Sequence, residues 1–179
     1  MKRLVLVIAV LFALAGCGGG GGEGHNAQDV SFVKDMLPHH EQAVVMSDLA
    51  LSQAGSAEVK DLATRIKAAQ GPEISTMQEW LSAWGEEATD HSGHDMGSSS
   101  MQGMASDEDL TALRAASGVE FDRLFLKDMT AHHEGAVEMA KAEIAKGKLP
   151  AAKTLAQRIT ISQEEEIAEM RTLLARASA

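Results

Sequence analysis

Cysteine is all but missing from this 179-residue sequence, and the one present, Cys17, can neither form a disulfide within the chain nor build a thiolate cage for a metal. Tyrosine is absent and aromatic residues make up only 3%, so the composition that favours sheets is lacking. Basic residues are few: 16 Lys and Arg stand against 26 Asp and Glu, a formal charge of -10. A protein that lives on nucleic acid needs clustered cations to displace counterions, so nucleic acid is excluded as a partner. A permanent membrane span is excluded too, because the apolar run at residues 4–14 has 11 residues and a spanning helix needs roughly 20. What remains is rich in Ala, Leu, Val and Ile, with ten Met and 45% hydrophobic residues. That is the make-up of one compact, helical domain.

The short apolar run is an address. Lys2 and Arg3 precede it and Leu14-Ala15-Gly16-Cys17 closes it with small residues, the layout of an export signal. Leu-Ala-Gly-Cys resembles the lipobox of bacterial lipoproteins, which implies cleavage before Cys17 and a lipid on its sulfur and new amino terminus. The expected organisation is a signal peptide over 1–16, a lipidated Cys17 with a glycine-rich tether over 17–28, and a folded part over 29–179. Cleavage removes Lys2 and Arg3 and takes the charge from -10 to -12. The predicted location is the extracytoplasmic side of a bacterial membrane, periplasm or cell surface. No free thiol remains in such a chain, so any soft-metal chemistry must use Met sulfur and His nitrogen.

The sequence matches itself at an offset of 93. Residues 32–46 and 125–139 share 10 of 15 positions, including Met-x-x-His-His-Glu, and residues 59–81 and 152–174 share 10 of 23. Each segment has helical periodicity: Phe32, Met36, His39, Ala43, Met46 and Ala50 form one stripe, and Leu62, Ile66, Glu73, Met77 and Trp84 another. Gly55-Ser56 and residues 147–150 punctuate the two pairs, Ser106 to Asp109 reads as a capping box opening the third helix, and Pro38 should kink the first. The expected fold is all-α: a four-helix bundle of two repeated antiparallel hairpins, 29–84 and 106–179. Between them residues 85–105 form a Gly/Ser-rich loop carrying His91, His94, Met96, Met101 and Met104.

The helical stripes place soft donors together. His39 and His132 fall near the centre of the buried stripe and His40 and His133 at its edge, with Met36, Met46, Met129 and Met139 on the same face. His with Met is a ligand set suited to Cu(I) or Ag(I). The alternative is that Met fills core space and the histidines are satisfied core residues. Glu73 and Glu166, flanked by Gln70 and Gln163, also fall on faces expected to be buried, where a carboxylate must be answered. The nearest candidates are His39 and His132, or a metal ion, so these four polar groups are expected to support the ligands from behind. A dimetal redox site is the weaker alternative, because no Glu stands three residues before a His. No phosphate loop or nucleophile elbow is present, and nothing demands an enzyme.

Both Met-x-x-His-His-Glu-x-Ala-Val-x-Met segments, each followed by Leu-Ala-x-Arg-Ile, Gln and Glu-Ile-x-x-Met, resemble the bacterial family called domain of unknown function 305. The resemblance covers residues 28–179 and implies a ferritin-like fold, export, and copper or silver binding and tolerance. Carried over to matching positions, it points to Met36, His39, His40 and Met46, and to Met129, His132, His133 and Met139. The second copy departs at Thr130-Ala131, where the first has Leu37-Pro38. The expected partners are therefore a copper(I) or silver(I) ion, a membrane reached through the lipid on Cys17, and a protein that donates or accepts copper.

Overall fold

The computed structural model describes residues 24–87 and 102–177. The expected signal peptide, Cys17, most of the tether, and His91, His94, Met96 and Met101 lie outside the described residues. The protein is all-helical, with α1 Ala27–Gln53, α2 Ala57–Trp84, α3 Asp107–Ala115, α4 Gly118–Lys146 and α5 Pro150–Ala177. No strand occurs among the described residues, only an isolated bridge between Ala54 and Gly118. No helix among them is long and apolar enough to cross a membrane.

Five helices replace the four read from periodicity because the third segment breaks near its start. Ser106 and Asp109 do form a capping box, but the helix they open has nine residues. The chain is extended at Ala116 and Ser117 and re-enters a helix at Gly118, whose φ of 62° lies in the left-handed region that glycine adopts without strain. The turn between α1 and α2 lies against this break: a Cβ on Gly55 would stand 2.8 Å from the Gly118 carbonyl carbon. Pro38 lies inside α1, which continues past it to Gln53.

The four long helices pair as the repeat predicts. Ion pairs and hydrogen bonds such as Lys34–Glu86 at 2.6 Å and Lys141–Glu164 at 3.4 Å run between antiparallel partners, α1 with α2 and α4 with α5. α1 also runs antiparallel to α4, with the Asn26 amide donating to the Lys146 carbonyl at 3.0 Å near one end. The apolar core falls into two clusters. One holds Phe32, Met36, Met77, Leu81 and Ile159, the other Met46, Leu62, Ile66, Phe121, Phe125 and Met129. Full burial of a side chain of this size stabilises the fold by about 1.5–3 kcal/mol.

Two buried aspartates lock the hairpins together reciprocally. Asp29 of α1 accepts from the backbone N–H of Lys148 at 3.0 Å and of Leu149 at 2.8 Å, at the turn of the second hairpin. Asp122 of α4 accepts from Gly55 and Ser56, both at 2.9 Å, at the turn of the first. Every residue in one clasp is related to its counterpart by the repeat offset of 93. Beside Asp29 alone lies Glu143, buried where the other copy has Ala50. Burial, and then the neighbouring Asp29, push the Glu143 carboxyl up to about 8. Asp29 itself is lowered: burial opposes its ionisation, but the backbone N–H groups of Asn26, Leu149 and Lys148, with the Glu143 carboxyl alongside, outweigh that.

Candidate metal centre

The histidine pairs meet where α1 crosses α4. His39 and His132 lie against each other with ring centroids 3.7 Å apart and planes tilted by 38°. All four of His39, His40, His132 and His133 are fully buried. The helical wheel puts His40 and His133 at the edge of a single buried stripe. They are buried as well because α1 and α4 each pack against two of the other long helices, which widens the covered arc beyond one stripe.

Glu73 and Glu166 answer histidines, but not the ones expected. The Glu73 carboxylate lies 2.9 Å from His40 Nε2 and the Glu166 carboxylate 2.7 Å from His133 Nε2. His39 and His132 face each other across the α1–α4 contact, so the outer histidine of each pair is the one left within reach of its own hairpin partner. The carboxylates are 16% and 12% exposed, which keeps them close to water while their imidazoles are dry. Gln70 and Gln163, one helical turn earlier, are buried; both amide atoms of Gln70 and the Gln163 oxygen lack hydrogen-bond partners among the described residues.

His39 Nε2 lies 3.3 Å from the Gln102 carbonyl oxygen. A carbonyl can only accept, so the imidazole proton sits on Nε2 and Nδ1 carries a lone pair. His40 and His133 likewise present Nε2 to an acceptor. The Nδ1 atoms of all four rings have no hydrogen-bond partner among the described residues, nor does His132 Nε2. The His39 backbone lends His132 a weak favourable interaction, short of a hydrogen bond of normal geometry. Burial, reinforced by His40, holds His39 down at about 3. Burial, reinforced by His39, His133 and His40, holds His132 well below the usual imidazole range. Both inner rings are therefore neutral at physiological pH, with lone pairs free of protons.

The methionines divide between the two apolar clusters. Met36, Met77 and Met139 belong to one and Met46, Met129 and Met170 to the other, and the repeat offset exchanges the two sets member for member. Met139 is partly buried and the other five are fully buried. Met77 and Met170 were passed over as candidates on sequence, although the second segment of the repeat aligns them. Met104 is half-buried, beside the anchored end of the loop. Among the described residues no three His, Cys, Asp or Glu side chains gather into a metal cage.

This repeated His-His layer and its carboxylate partners lie inside a stretch, residues 29–174, that matches the family described as Domain of unknown function (DUF305). The chain belongs to the DUF305 family. Solved structures of DUF305 proteins resemble it along most of its length. A Streptomyces coelicolor DUF305 protein described as secreted is 35% identical, with 85% of this chain and 93% of that one covered and a TM-score of 0.76. A DUF305 fragment from Deinococcus radiodurans is 30% identical, with 84% and 97% covered and a TM-score of 0.76. CopM in its Cu(II)-bound form is 34% identical, with 83% and 96% covered and a TM-score of 0.72. CopM has also been solved with Cu(I) and with Ag bound. No curated protein matches this DUF305 sequence.

Proposed function

We propose that this DUF305 protein binds copper(I), and silver(I) in the same way, for buffering, tolerance or transfer outside the cytoplasm. The observation that carries the proposal is the buried layer of imidazoles whose Nδ1 atoms have no hydrogen-bond partner among the described residues. A buried nitrogen without a partner is costly, and a soft cation answers it without adding a proton donor to the core. The donor types suit such an ion: imidazole nitrogens from His39, His40, His132 and His133, with thioethers of Met36, Met46, Met129 and Met139 in the clusters on either side. Glu73 and Glu166 fix the outer rings, and Gln70 and Gln163 lie one turn away. His91, His94, Met96, Met101 and Met104 would add capture sites in the loop. CopM, 34% identical, is known with Cu(I) bound.

The ion is cargo, and the protein is a binder rather than an enzyme. Lipid on Cys17 would hold it on the outer side of a bacterial membrane, in keeping with the description of the Streptomyces coelicolor relative as secreted, and a copper-donating or copper-accepting protein would be its partner. The four long helices fit a ferritin-like four-helix bundle with α3 as an insertion in the second hairpin.

A Cu(I) titration against a competing chelator, beside Zn(II), tests the proposal. Wild type and a variant lacking residues 88–101 should both bind Cu(I) far more tightly than Zn(II). Equal affinity for the two ions, undiminished when Met36, Met46, Met129 and Met139 become leucine, overturns it. The His40–Glu73 and His133–Glu166 bonds favour a second reading, in which the histidines only specify the core. On that reading His39→Ala unfolds the protein, and Cu(I) fails to raise the melting temperature of wild type.

A further inference from the structure

One short segment breaks the two-fold repeat at its centre. Residues 102–105 cross over the histidine layer, held at one end by Gln42, whose amide donates to the Ala105 carbonyl at 3.0 Å and accepts from its N–H at 2.8 Å. The other end sinks into α4 at Gly135. A Cβ there would lie 2.6 Å from the Gln102 carbonyl carbon and closer still to its oxygen, so only glycine admits the strap. Gly103, with φ of 85°, makes the turn against Ala131 that the seat requires. Gln42 and Gly135 are equivalent positions of the two copies. The repeat has therefore diverged at this one position into a clamp on α1 and a recess on α4.

The seated oxygen is the one that accepts from His39 Nε2. Its counterpart, His132, makes no hydrogen bond of normal geometry through either ring nitrogen among the described residues, with only the His39 backbone favouring its protonated form. We propose that the Gln102 carbonyl, seated on Gly135, is a positioning group that fixes the tautomer of His39 with Nδ1 as its donor atom and makes the two halves of the repeat unequal toward a soft cation. A backbone carbonyl behind an imidazole sets the ring's orientation and raises its basicity as a ligand. The inequality comes from the strap, since both inner rings are otherwise equally buried. The proposal rests on the metal-binding reading for its consequence, but the tautomer is a property of the metal-free protein.

The test uses the full chain with 15N-labelled histidine. Long-range 1H–15N spectra of the metal-free protein should show His39 protonated on Nε2. In Gly135→Ala the strap is expelled, so the His39 signal should move to mixed tautomers, and the tightest Ag(I) affinity should fall roughly tenfold to a hundredfold. Gly71→Ala is the control: it lies inside α2 with nothing within 4 Å of the new Cβ, so it should gain stability and leave both readouts unchanged. If Gly135→Ala does not fold, Gln42→Ala releases the other end of the strap and should produce the same change in the His39 signal. His39 protonated on Nδ1 in wild type overturns the proposal even if silver binds. So does a tautomer unmoved by both variants. An Nε2–H that both variants disturb, in a protein that binds no silver, sustains the positioning role and sinks the metal reading instead.

Discussion

His39 and Glu143 give the molecule two opposite pH dependences. In the unfolded chain His39 takes up a proton near 6.5, whereas the folded ring resists protonation down to about 3. Between those values the unfolded state binds more protons, so stability falls as pH drops through this window. Glu143 has the reverse sign. Its carboxyl ionises near 4.5 when unfolded and near 8 when folded, so the folded state holds the extra proton and stability falls as pH rises through that interval. Thermal melts from pH 3 to pH 9 should therefore show Glu143→Gln flattening the alkaline side, with its advantage over wild type largest above pH 8. His39→Gln should flatten the acid side. Removing one carboxylate of the core has a different outcome: Glu166→Leu leaves His133 Nε2 buried without an acceptor and should cost about 1–3 kcal/mol in a urea titration.

At the level of helices, stability depends on the reciprocal clasps. Asp122→Ala strips the acceptors from two backbone N–H groups at the α1–α2 turn and should cost about 2–3 kcal/mol. Asp29→Ala does the same at the α4–α5 turn and also removes one half of the α1 capping box. Because the clasps are at opposite ends, the double variant should lose the sum of the two within about 0.5 kcal/mol, measured by denaturation. The clasps were legible in principle, since the repeat offset links Asp29 to Asp122 and Gly55-Ser56 to Lys148-Leu149. They were missed because an acidic residue near a helix start reads as a local cap, and its partners lie more than 60 residues away. The four long helices were legible because apolar periodicity persists through each. The break before α4 was not, because the capping signal at Ser106 says where a helix begins and nothing about how soon it stops. The His–Glu pairing was misassigned for a related reason: a wheel drawn for one helix cannot show that α1 and α4 each bury two faces.

Across the whole molecule, the histidine layer lies between apolar clusters that each contain three methionines. Met→Leu is close to volume-conserving, so replacing Met36 and Met139 together should cost less than about 1.5 kcal/mol per site. If sulfur binds the ion, the same pair should weaken Ag(I) binding on one side of the layer and leave the side of Met46 and Met129 intact, which a competition titration would resolve as the loss of one class of site. The donor types and their repeat were readable from sequence; their division into two sets was not, because it follows from α1 and α4 running in opposite directions. The clasps also bear on descent. Each hairpin carries both the aspartate that closes a foreign turn and a turn that a foreign aspartate can close. A single ancestral hairpin with those features would have been complete as a symmetric homodimer before duplication and fusion joined two copies into one chain. The strap over His39 is then the later acquisition, possible only after fusion had made the two halves free to differ.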